Sequence, residues 1–106
     1  MKLNKTMQIA NTPKLPYVCA VFTSIRTDVE EGYGEMNNLT FKELESIKGY
    51  LGCEAFRDKN SFGVNVSYWK DNTLHKKEQV LGKEQWYKHY KLRIWLVERD
   101  YEFRKN

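Results

Sequence analysis

The chain has 106 residues, which is enough for one domain with a modest hydrophobic core. Its 18 basic and 14 acidic residues leave a net charge of only +4, and lysines alternate with glutamates over 76–84, which argues against a nucleic-acid-binding patch. No apolar run approaches the roughly 20 residues of a membrane span and no segment resembles a signal peptide, so we expect a cytoplasmic protein without membrane contact.

The first half of the chain predicts an arm, a strand and a helix. Residues 1–16 contain both prolines and no periodicity, which is typical of an extended N-terminal arm. A strand is predicted over 17–27, where both faces begin apolar and the far end becomes polar. A helix is predicted over 35–48, and its buried stripe is expected to contain residues at helical spacing: Met36, Leu39, Glu43, Leu44 and Ile47.

The second half predicts a hairpin, a second helix and a long strand. Strands over 50–58 and 62–69 are joined by a short polar turn, which favours an antiparallel hairpin. A second helix is predicted from about 74 to 90, with Trp86 and Tyr90 on one face because they are four residues apart. The final strand is predicted over 91–101, and it is apolar on both sides.

This order, β-α-β-β-α-β, predicts an α+β, ferredoxin-like domain over 17–103 with an antiparallel sheet, followed by a tail over 104–106. Two helices would cover one face of the sheet. The other face would remain apolar, so we expect a homodimer that pairs through the sheet face into an α+β barrel.

The aromatic content of 14% predicts a small-molecule pocket between helices and sheet. The candidate pocket residues are aromatic rings with a few polar groups near them: Trp69, Trp86, Tyr90, Tyr33, Ser24, Asn65, His75 and Arg93. The alternative is that the rings only fill the core, with Trp86 the first candidate for such a role, and that His75 is a local hydrogen-bonding residue. Cys19 and Cys53 are expected to be buried, reduced thiols.

No catalytic residue is assigned from the sequence, because no nucleophile, base or phosphate-binding loop stands in a recognisable pattern. The two histidines, His75 and His89, are 14 residues apart with no carboxylate or thiol at ligand spacing. We therefore expect neither a metal site nor a cofactor.

Five segments in order, VFTSIRT, GYGEM, GYLGCEAFRD, FGVNVSYW and GKEQWYKHYKLRIWLVERDYEF, resemble the antibiotic-biosynthesis monooxygenase-like family over about residues 17–103. The resemblance implies a ferredoxin-like protomer, a dimeric α+β barrel and a pocket between sheet and helices. By motif position, the resemblance implies that Trp69 is a wall of the pocket and that His75 corresponds to a histidine found after the SYW motif in relatives. Arg93 and Tyr90 are also expected to be pocket residues on this basis.

The same resemblance implies the chemistry. Some members oxidise aromatic phenols to quinones without metal or flavin, and others cleave haem. Relatives have a longer segment between Trp69 and His75 with a second tryptophan, where this chain has only KDNTL. Either the second helix is shorter and the pocket more open, or a mobile piece is missing from the sequence; the haem-cleaving set of residues is not present.

We therefore expect a cofactor-independent monooxygenase acting on a small aromatic, polyketide- or quinol-like substrate. The alternative is a non-catalytic dimer that binds a small apolar or aromatic ligand or is associated with stress. A haem-related role and RNA binding are less favoured, because residues 61–66 match an RNA-recognition strand only in part and a sheet face buried in a dimer cannot stack bases.

Overall fold

The computed structural model describes residues 8–71 and 83–105. The described elements, in chain order, are β1 (Tyr17–Arg26), α1 (Tyr33–Glu45), β2 (Tyr50–Arg57), β3 (Phe62–Trp69), α2 (Lys83–Trp86) and β4 (Tyr87–Val97). This order confirms the predicted α+β, ferredoxin-like class, and β3 has the predicted bounds. The predicted helical residues 74–82 lie outside the described residues.

The four strands form one sheet in the order β2-β3-β1-β4, and every neighbouring pair is antiparallel. The predicted hairpin of β2 and β3 is confirmed. Its turn is stabilised by Asp58, whose carboxylate oxygen Oδ1 accepts hydrogen bonds from the backbone N–H groups of Asn60 and Phe62 at 2.8 and 3.0 Å.

The register assigns each strand residue to one of two faces, because residues directly opposite in an antiparallel pair point to the same side. The helix face, on which α1 packs, carries Val18, Ala20, Phe22 and Ser24 of β1 and the residues opposite them. The open face carries Cys19, Val21, Thr23 and Ile25 of β1 and the residues opposite them.

The core lies at one end of the helix face and is centred on Trp69. The Trp69 side chain has no accessible surface and packs with Val18, Ala20 and Leu44. Its indole Nε1 donates a hydrogen bond to Ser67 Oγ at 2.9 Å. This bond satisfies the ring's one polar group in a buried position.

Helix α1 differs from its prediction in bounds and in its buried stripe. It begins at Tyr33, after Gly32 in the left-handed conformation at φ 79°, and it ends at Glu45. Leu44 is buried and Phe41 packs against the core, whereas Leu39 is 50% exposed. Leu39 is two positions from Phe41 and therefore lies on the opposite side of the helix, so the prediction that it faces the core was wrong.

Strand β4 begins four residues before its predicted start. Residues 87–90, predicted to be helical, instead pair with β1, with Tyr90 opposite Ser24 and Tyr87 opposite Arg26. Trp86 and Tyr90 therefore do not share a helix face. The strand also ends at Val97, opposite Tyr17, because β1 begins there and offers no partner to residues 98–101. Backbone pairing with β1 outweighs the local helical pattern in this segment.

The described part of the N-terminal arm, residues 8–16, contains no helix or strand and contacts the open face. The backbone N–H of Ala10 donates to Glu54 Oε2 at 2.8 Å, and the Tyr17 hydroxyl donates to Asp100 Oδ2 at 2.6 Å. Tyr17 joins the arm to the chain after β4, because its hydroxyl also accepts a hydrogen bond from Thr12 at 3.2 Å.

Cys19 and Cys53 are buried and form no disulfide, as predicted. They lie on opposite faces of the sheet, and burial raises the pKa of both thiols. Among the residues that the structure describes, no helix is long and apolar enough to cross a membrane.

We expect Trp69→Ala to lower the free energy of unfolding by about 3–5 kcal/mol, because it empties the centre of the core. Trp86→Ala should cost less, since the Trp86 ring is only half-buried. Chemical denaturation followed by far-ultraviolet circular dichroism measures both. Equal losses for the two variants would contradict the assignment of Trp69 as the core tryptophan.

Candidate functional site

The end of the helix face away from Trp69 is polar and aromatic instead of aliphatic. We call this set of residues the aromatic–arginine cluster; its members come from β1, α1, β2 and β4, and they are Phe22, Ser24, Arg26, Tyr33, Arg57, Tyr87 and Tyr90.

Arg57 reaches the centre of the sheet because Gly63 leaves room for it. Arg57 is opposite Gly63 in the β2–β3 pair, and Gly63 is opposite Ser24 in the β3–β1 pair. The guanidinium crosses β3, so that its Nη2 donates to Ser24 Oγ at 2.6 Å and its Nη1 donates to the Ser61 carbonyl at 2.6 Å. A Cβ atom on Gly63 would lie 2.6 Å from Cζ of Arg57. A glycine is therefore required for this arrangement.

Arg26 is almost completely buried, at 7% exposure, and it connects β1 to the start of α1. Its Nη2 donates to the Val29 carbonyl at 2.8 Å, and its Cζ lies 3.3 Å from the centroid of the Tyr33 ring. Its acidic neighbour, Glu30, is 3.6 Å away and 80% exposed. Because the Glu30 carboxylate is exposed, water screens its ion pair with Arg26, and the pair contributes little to the free energy of unfolding.

Three aromatic rings form the wall next to the arginines. The ring centroids of Phe22 and Tyr87 are 5.4 Å apart, those of Phe22 and Tyr90 are 5.3 Å apart, and those of Tyr87 and Tyr90 are 6.1 Å apart. Cζ of Arg57 lies 6.0 Å from the Tyr87 centroid. All three rings are half-buried, so part of each remains accessible to a ligand.

The Tyr87 hydroxyl stays protonated far above neutral pH. Burial raises its pKa, and a hydrogen bond with Tyr33 raises it further, while the charges of Arg57 and Arg26 oppose the shift. At neutral pH this hydroxyl is therefore a hydrogen-bond donor and not a base.

Four of the predicted pocket residues lie together on the helix face. Ser24, Tyr33 and Tyr90 belong to the cluster, and Asn65 is in the next row of the sheet, opposite Phe22. Asn65 is half-buried, and its carboxamide forms no hydrogen bond with any residue in the described ranges. It is available to a ligand.

The other predicted pocket residues are placed elsewhere. Trp69 is at the opposite end of the helix face, within the core. Arg93 pairs with Val21 and so lies on the open face, which excludes a shared cavity with Ser24 and Tyr90. Their roles as ligand contacts stay predictions, and His75 lies outside the described residues.

Trp86 is not in the core. Its half-buried ring packs on the loop before α1, where Nε1 donates to the Glu31 carbonyl at 2.9 Å and the ring lies 6.4 Å from that of Tyr33. The expectation that Trp86 is a core residue was therefore wrong, because the early start of β4 moves it to the sheet edge.

Sequence reasoning missed four members of the cluster: Phe22, Arg26, Arg57 and Tyr87. One signal was available for Arg57. Gly63 interrupts an otherwise strand-forming run, and a glycine inside a strand often marks a close approach by another group.

Within the described ranges, no three histidine, cysteine, aspartate or glutamate side chains converge as ligands for a metal ion. The groups that this site presents are rings, guanidinium groups, hydroxyls and the Asn65 carboxamide.

The chain has the fold of antibiotic-biosynthesis monooxygenase-like proteins. It is similar to PA3566 from Pseudomonas aeruginosa, with a TM-score of 0.64 and 11% identity, covering 80% of this chain and 97% of that one. It is equally similar to a mutant of SnoaB, a cofactor-independent oxygenase from Streptomyces nogalater, with a TM-score of 0.64 and 10% identity, covering 79% and 95%.

In sequence, the chain is 29% identical over 107 residues to the uncharacterised protein YqjZ of Bacillus subtilis strain 168, covering 92% of this chain and 94% of YqjZ. No family model matches the chain. The two solved structures establish the fold, and a shared fold does not by itself give an activity.

We expect Tyr87→Phe to remove phenolate absorbance mainly from the part of a spectrophotometric titration above pH 10. Unfolded tyrosine ionises near 10.0, whereas the pKa of folded Tyr87 is raised above that value. The stability due to its protonated hydroxyl is thus complete below pH 10 and is lost as pH rises toward the folded pKa. Tyr87→Phe should therefore make stability less sensitive to alkali. Loss of absorbance only below pH 10 would contradict this.

Proposed function

We propose that the protein is a cofactor-independent monooxygenase that oxidises a small aromatic, polyketide- or quinol-like substrate on the helix face. The observation that carries the proposal is the half-buried wall of Phe22, Tyr87 and Tyr90 next to Asn65, whose carboxamide has no hydrogen-bond partner among the described residues. The fold shared with SnoaB, a cofactor-independent oxygenase, supports it.

In the proposed reaction a phenol and O₂ give a quinone and water, and the substrate supplies all four electrons. The ionised substrate passes one electron to O₂, and the two radicals combine through a new carbon–oxygen bond. The resulting peroxide loses water and leaves a carbonyl on the ring. One oxygen atom is incorporated and the other leaves in water.

The protein would contribute position and polarity to this reaction. Faces and edges of the three rings would hold a planar substrate in one orientation. The Asn65 carboxamide would donate a hydrogen bond to the substrate oxygen as negative charge develops on the ring.

A non-catalytic ligand-binding protein is the second candidate, and the position of Trp69 favours it. The resemblance implies Trp69 as a pocket wall, but its ring has no accessible surface. A ligand-induced thermal shift without oxygen consumption would support this candidate over the enzyme.

The open face supports a second part of the proposal, pairing with another copy of the chain. Phe56, Phe62 and Trp95 on this face are 66%, 47% and 49% exposed, and Val21, Val64 and Val66 lie among them. Apolar residues spread over all four strands need a cover. A second open face offers the same composition and spacing, as an isologous interface requires.

We expect oxygen uptake above the buffer rate, with a quinone product, when the protein is given a dihydroxynaphthalene under air. Asn65→Ala should lower this rate about a hundredfold, the scale of losing one donor to a developing oxyanion. Asn60→Ala, in the exposed turn of the same hairpin, is the control and should keep the rate. An oxygen electrode and visible absorbance measure both. An unchanged rate for Asn65→Ala would exclude its proposed role, and no uptake by the native protein would exclude the enzyme.

We expect sedimentation at micromolar concentration to give twice the chain mass of 12.7 kDa. Phe62→Glu should shift the protein toward the monomer, because it places a charge on the open face. Leu39→Glu is the matched control, since Leu39 is 50% exposed but lies on α1, away from that face. A native monomer would contradict the pairing.

A further inference from the structure

Arg57 has no acidic partner among the residues that the structure describes. Its three hydrogen bonds go to neutral acceptors, namely Ser24 Oγ, the Ser61 carbonyl and, at 3.3 Å, the Ser24 carbonyl. No aspartate or glutamate among the described residues forms an ion pair with it. A guanidinium has five N–H donors, so two of them, one on Nη2 and the one on Nε, have no acceptor in the described part of the chain.

The surroundings of Arg57 make this unpaired charge unusual. The side chain is half-buried, its guanidinium crosses a strand, and the half-buried Tyr87 ring lies beside it. Removing a charge from water costs free energy unless an opposite charge compensates it. Arg26, the other cation of the cluster, adds to the positive potential because Glu30, its acidic neighbour in the described ranges, is exposed.

The guanidinium of Arg57 is planar, and the N–H groups on Nη2 and Nε that have no acceptor in the described ranges suit a negatively charged oxygen group. Arginine binds carboxylates in this way, by two parallel hydrogen bonds. Phe22, Tyr87 and Tyr90 lie next to it and offer surfaces for a ring. Cation and rings are thus adjacent on one face of the sheet.

We propose, building on the ligand-binding role above, that the ligand is an anionic aromatic compound whose carboxylate or phenolate oxygen binds Arg57 while its ring contacts Phe22, Tyr87 and Tyr90. Gly63 is the specificity-determining residue of this site, since it alone lets the guanidinium reach Ser24. Neutral aromatic compounds of the same size bind the rings only.

Two naphthalene probes test this by isothermal titration calorimetry at pH 7, without turnover. The first is naphthoate, and the second is the neutral naphthalenemethanol, which has a similar size and shape. We expect naphthoate to bind at least about tenfold more tightly, the scale of a hydrogen-bonded ion pair. A third probe, a nitronaphthol, is ionised to the phenolate at this pH and shows which of the two anions the site prefers.

Two variants then locate the preference. Gly63→Ala keeps the net charge and a normal backbone but places Cβ on the guanidinium, so naphthoate should bind like the neutral probe while the affinity of the neutral probe stays the same. Arg57→Gln should do likewise. Arg104→Gln, an 83% exposed arginine in the tail, removes the same charge and should keep the preference.

Equal binding of both probes to the native protein, or a preference that survives Gly63→Ala and Arg57→Gln, would overturn the anionic ligand and leave the oxygenase proposal standing. If neither probe binds, both the proposal of an anionic ligand and the proposal that a ligand binds at the three rings are wrong. Failure of oxygen uptake alone, with the naphthoate preference intact, would exclude only the enzyme.

Discussion

The pairing of β1 with strands on both of its sides is the constraint on which the rest of the structure depends. β1 is hydrogen-bonded to β3 along one edge and to β4 along the other. A central strand has no freedom of register, because a shift by one residue would exchange its two faces. The position of every other side chain on the sheet follows from that alignment.

One consequence is that residues far apart in the chain meet in a single row. Arg57, Gly63, Ser24 and Tyr90 are consecutive across β2, β3, β1 and β4 on the helix face. The next row contains Asn65. The candidate site is therefore a product of strand register, with α1 contributing only Tyr33, and backbone hydrogen bonds hold it rigidly.

The two ends of the helix face differ in chemistry. At one end Trp69 fills the space between Val18, Ala20 and Leu44. At the other end, the guanidinium groups of Arg26 and Arg57 are partly withdrawn from water, which costs free energy unless it is compensated. Proteins retain such costly groups where activity or binding requires them. The open face presents the exposed apolar residues on which the proposed pairing with a second copy rests.

The sequence by itself determined the class of fold. Hydrophobic alternation located all four strands, and β3 and the start of β2 agree with the structure to the residue. The polar residues before Phe62 identified the hairpin. Half of the predicted pocket residues, namely Ser24, Tyr33, Asn65 and Tyr90, lie together at or beside the cluster. Alternation along the predicted strands already assigned Ser24 and Asn65 to one of two faces, but it could not place Tyr33, which is on α1, or Tyr90, which was predicted to be helical.

Only the tertiary structure decided which face of the sheet α1 packs on and where the last strand begins. Local periodicity favoured a helix up to Tyr90, but pairing with Ser24 and Arg26 makes residues 87–90 part of β4. That pairing places Arg93 on the open face, moves Trp86 out of the core and brings Tyr87 into the cluster. Gly63 inside a strand signals a close approach by another group, but the sequence does not say which group. That Arg57 lies opposite Gly63, with Ser24 on the next strand, is set by strand register, which no local pattern contains.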